Sequence, residues 1–111
     1  MQVLISMNKN TLIAKMIGEL DHHTAGKARD KLEQNIINKS AKNLIFDFKD
    51  LTFMDSSGIG MIIGRFKLIS ALGGKVNVVC SNKQIERIIT MSGLKKIVDV
   101  YRTLDDAIEN L

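Results

Sequence analysis

The sequence contains no proline, a single cysteine and no long apolar run. Without proline, no segment looks like a boundary between domains, and 111 residues is the size of one ordinary domain. Cys80 cannot form an intramolecular disulfide, and its position in an apolar, valine-rich stretch indicates a buried reduced thiol. No segment approaches the roughly 18 apolar residues of a membrane span, and the N-terminus does not match a signal peptide. These absences predict a single domain over residues 1–111, located in the cytoplasm.

Positive charge is in excess but dispersed. Sixteen Lys and Arg and twelve Asp and Glu give a formal net charge of +4, and the two signs are interleaved along the chain. Nucleic-acid binding concentrates positive charge against phosphates, so this distribution favours an ordinary solvated surface. No nucleic-acid partner and no membrane partner is predicted. A content of 45% hydrophobic and 25% charged residues is typical of a folded globular protein.

Apolar periodicity predicts strands that alternate with helices. Strands are predicted at 2–7, 11–17, 43–48, 75–80 and 97–101, and helices at about 22–39, at about 57–72 and around 85–89. A last helix is predicted after Thr103 as its N-cap, with an apolar face formed by Leu104, Ala107, Ile108 and Leu111. The first two strands flank Asn8-Lys9-Asn10, which tolerates a tight turn, so they are expected to pair as an antiparallel hairpin. Strands separated by helices imply right-handed crossovers and parallel pairing. The prediction is a compact α/β domain with a mostly parallel mixed sheet, an N-terminal antiparallel hairpin and about four helices.

The polar segment after the strand at 43–48 carries the main candidate site. Asp55, Ser56 and Ser57 precede Gly58 and open the second helix, at the edge where α/β sheets present ligands and partners. Capping alone explains them, because each can accept a hydrogen bond from a free amide of the first helical turn. A functional interpretation is serine phosphorylation, since a phosphate here would meet those amides and the positive end of the helix dipole. A phosphate tolerated in this way would act on what docks at the loop.

A second polar cluster, Asp21-His22-His23, precedes the first helix at the carboxyl end of another strand. It is explained either by an N-cap aspartate with two surface histidines or by an extension of the same docking surface. A metal site is disfavoured, because adjacent helical residues diverge by about 100° and no Cys or further His is placed to complete the ligands.

A serine hydrolase is the main enzymatic alternative, because Ser57-Gly58 lies at a strand-to-helix turn. A nucleophile elbow requires glycine two residues before and two after its serine, whereas Asp55 and Ile59 occupy those positions. The sequence therefore disfavours an enzyme.

The glycines of the second helix match no nucleotide-binding pattern, since Ile63 stands where a third fingerprint glycine is required. No cofactor is predicted, and Gly58, Gly60 and Gly64 are interpreted as positions that let this helix approach the sheet. The methionines at 54, 61 and 91 are interpreted as core fillers, with Met54 and Ile59 also available as apolar contacts for a partner.

Three segments taken together resemble the STAS-domain family of anti-sigma factor antagonists. They are Gly18-Glu19-Leu20-Asp21-His22-His23-Thr24, Phe53-Met54-Asp55-Ser56-Ser57-Gly58-Ile59-Gly60 and Met91-Ser92-Gly93-Leu94. The resemblance covers nearly the whole chain in the same order. It is closer to the sporulation anti-sigma-F antagonists of endospore-forming bacteria than to the general-stress-response antagonists, which are the nearest competitor.

The resemblance implies a binding module with two kinds of partner. One is an anti-sigma factor that is also a serine kinase of the histidine-kinase-like ATPase type, and the other is a phosphoserine phosphatase. Unphosphorylated protein would hold the kinase and so release a sigma factor, and phosphorylation of Ser56, the serine directly after the motif aspartate, would end this. Ser57 is chemically equivalent, so the choice of Ser56 rests on the motif alignment. The implied partner-binding residues are Asp21, His22, Met54, Asp55, Ser56, Ser57, Gly58, Ile59 and Gly60, and the free protein is expected to be monomeric.

Overall fold

A computed structural model describes all residues, 1–111, as six strands, four α-helices and a short 3-10 turn. In chain order they are β1 (Gln2–Asn8), β2 (Thr11–Leu20), α1 (Ala25–Asn38), β3 (Asn43–Asp47), β4 (Leu51–Met54), α2 (Ser56–Ala71), β5 (Val76–Val79), α3 (Lys83–Met91), the 3-10 turn (Leu94–Lys96), β6 (Asp99–Tyr101) and α4 (Leu104–Glu109). The predicted α/β class with four helices is confirmed. None of the helices combines the length and the apolarity needed to cross a membrane.

The sheet has the strand order β1-β2-β3-β5-β6, and β4 pairs separately with β2. β1 runs antiparallel to β2, whereas β3, β5 and β6 follow in parallel, so the predicted hairpin and mixed sheet are both confirmed. The hairpin turns through Lys9, whose φ of 54° is the left-handed conformation expected of a tight turn.

β4 was not predicted, because its residues were assigned to the loop after the third strand. It is only four residues long, with Leu51 and Met54 buried and the two residues between them exposed. This burial order lacks the two-residue alternation of a strand, and the three-residue spacing of its buried ends would equally suit one turn of helix. β4 pairs in parallel with Gly18–Leu20, which also explains why β2 extends beyond the predicted end at residue 17. The strand carries the serine segment to the end of β2.

Side chains from the two faces of the sheet form two apolar clusters. The larger one combines alternate residues of β2, such as Leu12 and Met16, with the buried faces of α1, α2 and α3. The smaller one joins Ile13, Ile45 and Val79 of the opposite sheet face to Ala107 of α4. Helices therefore cover both faces of the sheet: α1, α2 and α3 cover one face and α4 covers the other.

Two interpretations of single residues at the end of the chain are tested by the structure. Thr103 caps α4 as predicted, since its Oγ1 accepts a hydrogen bond from the Asp106 amide at 3.1 Å. Leu111, predicted on the apolar face of this helix, instead lies beyond the helix end at Glu109 and is exposed.

The sulfur-containing side chains follow the predictions with one exception. Cys80 is a buried free thiol, and this burial raises its pKa. Met54 and Met61 fill the core as predicted, but Met91 is 76% exposed, so that interpretation is wrong. Met91 is the last residue of α3, and at the helix end no neighbouring element covers its side chain.

Candidate functional site

The N-terminus of α2 is capped by Asp55. Its backbone is extended, and its Oδ1 accepts a hydrogen bond from the Ser57 amide at 2.9 Å. Aspartate is among the best N-cap residues because its carboxylate satisfies an amide that the helix itself cannot. Of the three residues considered for this role, Asp55 performs it; Ser56 and Ser57 are the first two helical residues, and their hydroxyls take no part in the cap.

Gly58 brings the start of α2 directly against the strands. A Cβ added at this position would lie 2.7 Å from Met54 Cγ, closer than Cβ contacts normally come, and 3.0 Å from Leu20 Cγ, which is tighter than most such contacts. The packing interpretation is therefore confirmed for Gly58. It is wrong for Gly60 and Gly64, where an added Cβ would meet nothing within 4 Å.

The two serines differ in their surroundings. Ser56 is exposed at the surface, whereas Ser57 is half-buried and faces a cleft between α1 and α2. Sequence reasoning treated the two hydroxyls as equivalent, because the distinction depends on which side of the first helical turn each occupies. A large enzyme that must reach a hydroxyl would find Ser56 the more accessible of the two.

Asp21 organises the neighbouring turn. Its Oδ1 accepts hydrogen bonds from the amides of His23 at 2.8 Å and Thr24 at 3.1 Å, so residues 22–24 form a turn and α1 begins at Ala25. The predicted helix start at 22 is therefore wrong by three residues. Partial desolvation raises the pKa of the Asp21 carboxyl, but these amide hydrogen bonds outweigh it and the pKa lies below its ordinary value.

Asp55 joins the two polar clusters. Its Oδ2 accepts a hydrogen bond from the His22 amide at 3.3 Å and lies 3.9 Å from His22 Nδ1. The rings of His22 and His23 lie with their centroids 3.8 Å apart. The sequence interpretation that Asp21-His22-His23 extends the surface of the serine segment is thus correct in its geometry. One carboxylate holds both the start of α2 and the loop before α1.

The predicted partner-binding residues fall into three groups by exposure. His22, Ser56 and Gly60 are exposed, and Asp21, Asp55, Ser57 and Ile59 are half-buried. Met54 and Gly58 are buried, so their assignment to the partner-facing set is corrected: they pack beneath the loop and support it.

Phe53 was not predicted as a functional residue, but it lies exposed close to this set in the chain. Its side chain is 41% exposed on β4, two residues before Asp55. An exposed aromatic ring at the foot of a polar loop is the kind of residue that anchors protein interfaces. No sequence signal placed it there, because its exposure depends on β4, which was not predicted.

The serines lack the surroundings of a catalytic nucleophile. Neither serine hydroxyl has a hydrogen bond to His22 or to another side chain that could act as its base, and the Asp55 carboxylate already caps the helix. No group of three or more His, Cys, Asp or Glu side chains has the arrangement of a metal site.

The profile of the STAS domain family matches residues 2–107, over the fold and the loops described above. The chain belongs to the STAS domain family. The anti-sigma F factor antagonist of Paenibacillus polymyxa is 37% identical to this STAS domain over 111 residues, which cover 100% of this chain and 95% of that protein. The anti-sigma-B factor antagonist of Bacillus subtilis is 29% identical over 96 residues, which cover 86% of each chain.

A solved structure supports the same assignment for this STAS domain. The Bacillus cell fate determinant SpoIIAA in its phosphorylated form superposes with a TM-score of 0.76 and 28% sequence identity, over 98% of both chains. The resemblance predicted from three sequence segments is confirmed. Antagonists of this family are regulatory and non-enzymatic proteins, in agreement with the prediction that this chain is not an enzyme.

Proposed function

We propose that this STAS domain is an anti-sigma factor antagonist that phosphorylation of Ser56 switches off. Residues 1–111 act as one domain in the cytoplasm, where the unphosphorylated form binds an anti-sigma factor and releases its sigma factor. The anti-sigma factor is itself a serine kinase of the histidine-kinase-like ATPase type, and a phosphoserine phosphatase reverses the modification. The observation that best supports this proposal is Ser56 itself: it is exposed, its hydroxyl does not cap the helix, and it directly follows the N-cap Asp55 of a STAS domain.

Phosphorylation at Ser56 leaves the fold intact. A phosphoserine carries about −1.5 to −2 charges, and the first turn of α2 offers amides and the positive end of the helix dipole. Asp55 already takes the Ser57 amide, so the phosphate interacts with the remaining helix terminus and with water. The phosphorylated SpoIIAA, on which this chain superposes, also has the STAS fold.

The switch therefore acts on docking. We define the docking surface as Asp21, His22, Phe53, Asp55, Ser56, Ser57, Ile59 and Gly60. Docking would remove water from Ser56 and bury its neighbour Asp55, which is half-buried in the free protein. A dianion added at Ser56 would raise the cost of desolvation and add like-charge repulsion beside Asp55, and a tight interface then fails. Met54 and Gly58 contribute by holding this surface from below.

The sporulation pathway is supported over the general stress response by the extent of similarity. The anti-sigma F antagonist matches over the entire chain at 37% identity, whereas the anti-sigma-B antagonist matches over 86% of the chain at 29%. Binding assays with an anti-sigma F kinase and an anti-sigma B kinase in parallel test this preference. Tighter binding to the anti-sigma B kinase would assign the chain to the stress response.

The decisive experiment is phosphorylation in vitro with mapping of the site. The chain is incubated with ATP and the anti-sigma F kinase, and intact-mass spectrometry with peptide mapping follows the wild type, Ser56→Ala and Ser57→Ala. We expect one phosphate on Ser56, absent in Ser56→Ala and retained in Ser57→Ala. Modification that persists in Ser56→Ala would assign the switch to another residue.

Docking is measured on the same preparations. Ser56→Asp places a carboxylate where the phosphate would stand, and we expect its affinity for the kinase to fall by about tenfold or more, equivalent to roughly 1.4 kcal/mol. Ser56→Ala should bind as tightly as the wild type and resist inactivation. Wild-type affinity in Ser56→Asp would contradict the charge mechanism.

A further inference from the structure

A cleft of about 390 Å³ separates α1 from α2 next to the docking surface. Its lining includes His22, Gly26 and Arg29 on the α1 side, and Ser57, Gly60 and Arg65 on the α2 side. Two of these six residues are glycines; of the other four, three have basic side chains and one has a hydroxyl. The cleft is therefore rich in hydrogen-bond donors for a ligand with acceptor oxygens.

Arg65 is the unusual member of this lining. Its side chain is only 9% exposed, and its Nη2 lies 2.9 Å from Glu33 Oε1. Its Nε and Nη1 are buried and have no hydrogen-bond partner. Guanidinium groups present five N–H donors in a planar fork, and leaving such donors unpaired away from water is costly. Glu33 satisfies one nitrogen only, so Arg65 has unused capacity for a second anion.

The local electrostatics support an anion. Burial lowers the pKa of Arg65, the nearby Arg29 cation lowers it further, and the carboxylates of Glu33 and Asp30 oppose this. Arg29 also forms an ion pair with the adjacent Asp30, at 3.2 Å. Because both side chains are exposed, this pair contributes little binding energy. An anion between Arg29 and Arg65 would relieve their repulsion.

Two glycines make room for a ligand. A Cβ added at Gly26 or at Gly60 would meet nothing within 4 Å, so the space beside both helices is open where α1 and α2 face each other. Gly60 lies one turn from Ser57, so this space reaches the first turn of α2 and its dipole.

We propose that the cleft between α1 and α2 is a binding site for a small oxyanion of the phosphate class, taken from solution. Arg65 binds it with Nε and Nη1, which have no partner but are closed to solvent, so the guanidinium must turn towards the cleft for the anion to reach them. Arg29 adds charge at the rim and the Ser57 hydroxyl donates a hydrogen bond. Arg suits this role because its fork matches two oxygens of a phosphate. A bound anion would bring negative charge beside the docking surface without covalent modification.

The test uses the full unphosphorylated chain and inorganic phosphate, with no kinase present. Phosphate is titrated against chloride at constant ionic strength, and NMR follows the Arg65 Nε–H group and the amides of Gly26, Ser57 and Gly60. We expect saturable shifts at these positions. Acetate should require higher concentrations, because it has fewer oxygens and a lower charge than phosphate.

Variants assign the site. Gly26→Met fills the cleft, and Gly64→Met is its matched control, because an added Cβ at Gly64 also meets no atom and this position does not line the cleft. Arg65→Gln removes the buried cation, and Arg87→Gln removes an exposed one on α3. Gly26→Met and Arg65→Gln should weaken phosphate binding by about tenfold, and both controls should leave it within about twofold.

Several results would overturn the proposal. Shifts that do not saturate, that follow all surface cations alike, or that survive in Gly26→Met would reduce the effect to general charge screening. Tighter binding of acetate than of phosphate would exclude the phosphate class. Because Gly26→Met keeps Arg65, a folding defect in Arg65→Gln leaves the test intact. Failure here would not affect the proposed antagonist function, which is measured with the kinase.

Discussion

Two strand-to-helix junctions at the same edge of the sheet share one capping device. At the β4–α2 junction Asp55 accepts a hydrogen bond from the amide two residues on, at 2.9 Å. At the β5–α3 junction Asn82 does the same at 2.8 Å and also receives the Ile85 amide at 3.4 Å. The cap is therefore a requirement of the turn, and its presence does not distinguish a functional loop from a structural one.

The junctions differ in what surrounds the cap. The first helical residue is an exposed serine at β4–α2 and an exposed lysine, Lys83, at β5–α3. Only Asp55 reaches across to a second loop, through the His22 amide. At the other junction the nearby side chain, Cys80, is buried and donates to the Asn82 carbonyl. The candidate site therefore differs from an ordinary helix start in two ways: it has an exposed serine hydroxyl, and its cap is hydrogen-bonded to a second loop.

The largest effect is expected when the serine is moved from the first junction to the second. Lys83→Ser places a hydroxyl at the equivalent first helical position behind an Asx cap, but without the second loop. In Ser56→Ala combined with Lys83→Ser, we expect phosphorylation by the kinase to be lost entirely, as mapped by mass spectrometry. Phosphate incorporation at position 83 would show that a capped helix start alone is recognised.

The next effect concerns the close packing found only at the first junction. Gly58→Ala forces Met54 and Leu20 to move, and we expect the free energy of unfolding to fall by about 1–3 kcal/mol. Gly60→Ala is the matched control, because its methyl meets no atom and alanine favours a helix by about 1 kcal/mol over glycine. Urea unfolding compares the two, and equal stability of both variants would contradict the packing argument.

Removal of each cap gives a smaller effect. Asp55→Ala and Asn82→Ala should each lower the free energy of unfolding by about 1 kcal/mol, since each loses a capped amide. The variants should differ in hydrogen exchange: the His22 amide becomes less protected in Asp55→Ala and stays unchanged in Asn82→Ala. If protection of His22 is the same in both, Asp55 does not couple the loops.

The smallest effect is a difference in pH response. The lowered pKa of Asp21 means that its contribution to stability is present above about pH 4 and is lost as the pH falls through the lowered pKa. The raised pKa of Cys80 means that its contribution is present below about pH 8.5 and is lost as the pH rises through the raised pKa. Thermal unfolding of Asp21→Asn and Cys80→Ala should show a flatter acid limb and a flatter alkaline limb, respectively. A flatter alkaline limb in Asp21→Asn, or a flatter acid limb in Cys80→Ala, would contradict the structure.

The elements with regular periodicity were the ones that sequence could predict. α2 was expected at 57–72 and spans Ser56–Ala71, because its apolar residues recur at helical steps and Gly73 ends it with a φ of 79°. β4 was missed because its two buried residues are three positions apart, which is not the two-residue alternation that indicates a strand. Met91 and Leu111 were misplaced because periodicity places a side chain on a face but does not show where the face stops being covered.

The candidate site was predicted in composition but not in detail. Its residues and the meeting of two loops followed from strand ends that share an edge of the sheet. The sequence could not show that Met54 and Gly58 lie beneath the loop, or that Phe53 lies outside, since this depends on the unpredicted β4. It also could not separate Ser56 from Ser57, because exposure on opposite sides of one turn is a property of packing.

β2 is paired along almost its whole length, with β1 on one side and with β3 and then β4 on the other. The pairing of its last residues with β4 determines how far Asp21 lies from Asp55, so the distance between the two loops depends on the register of these strands. An inserted residue in β2 would advance one loop by about 3.3 Å and invert the faces of the strand beyond it. Drift between related sequences should therefore accumulate as insertions in the β1–β2 turn or after α1, and β2 should keep its length.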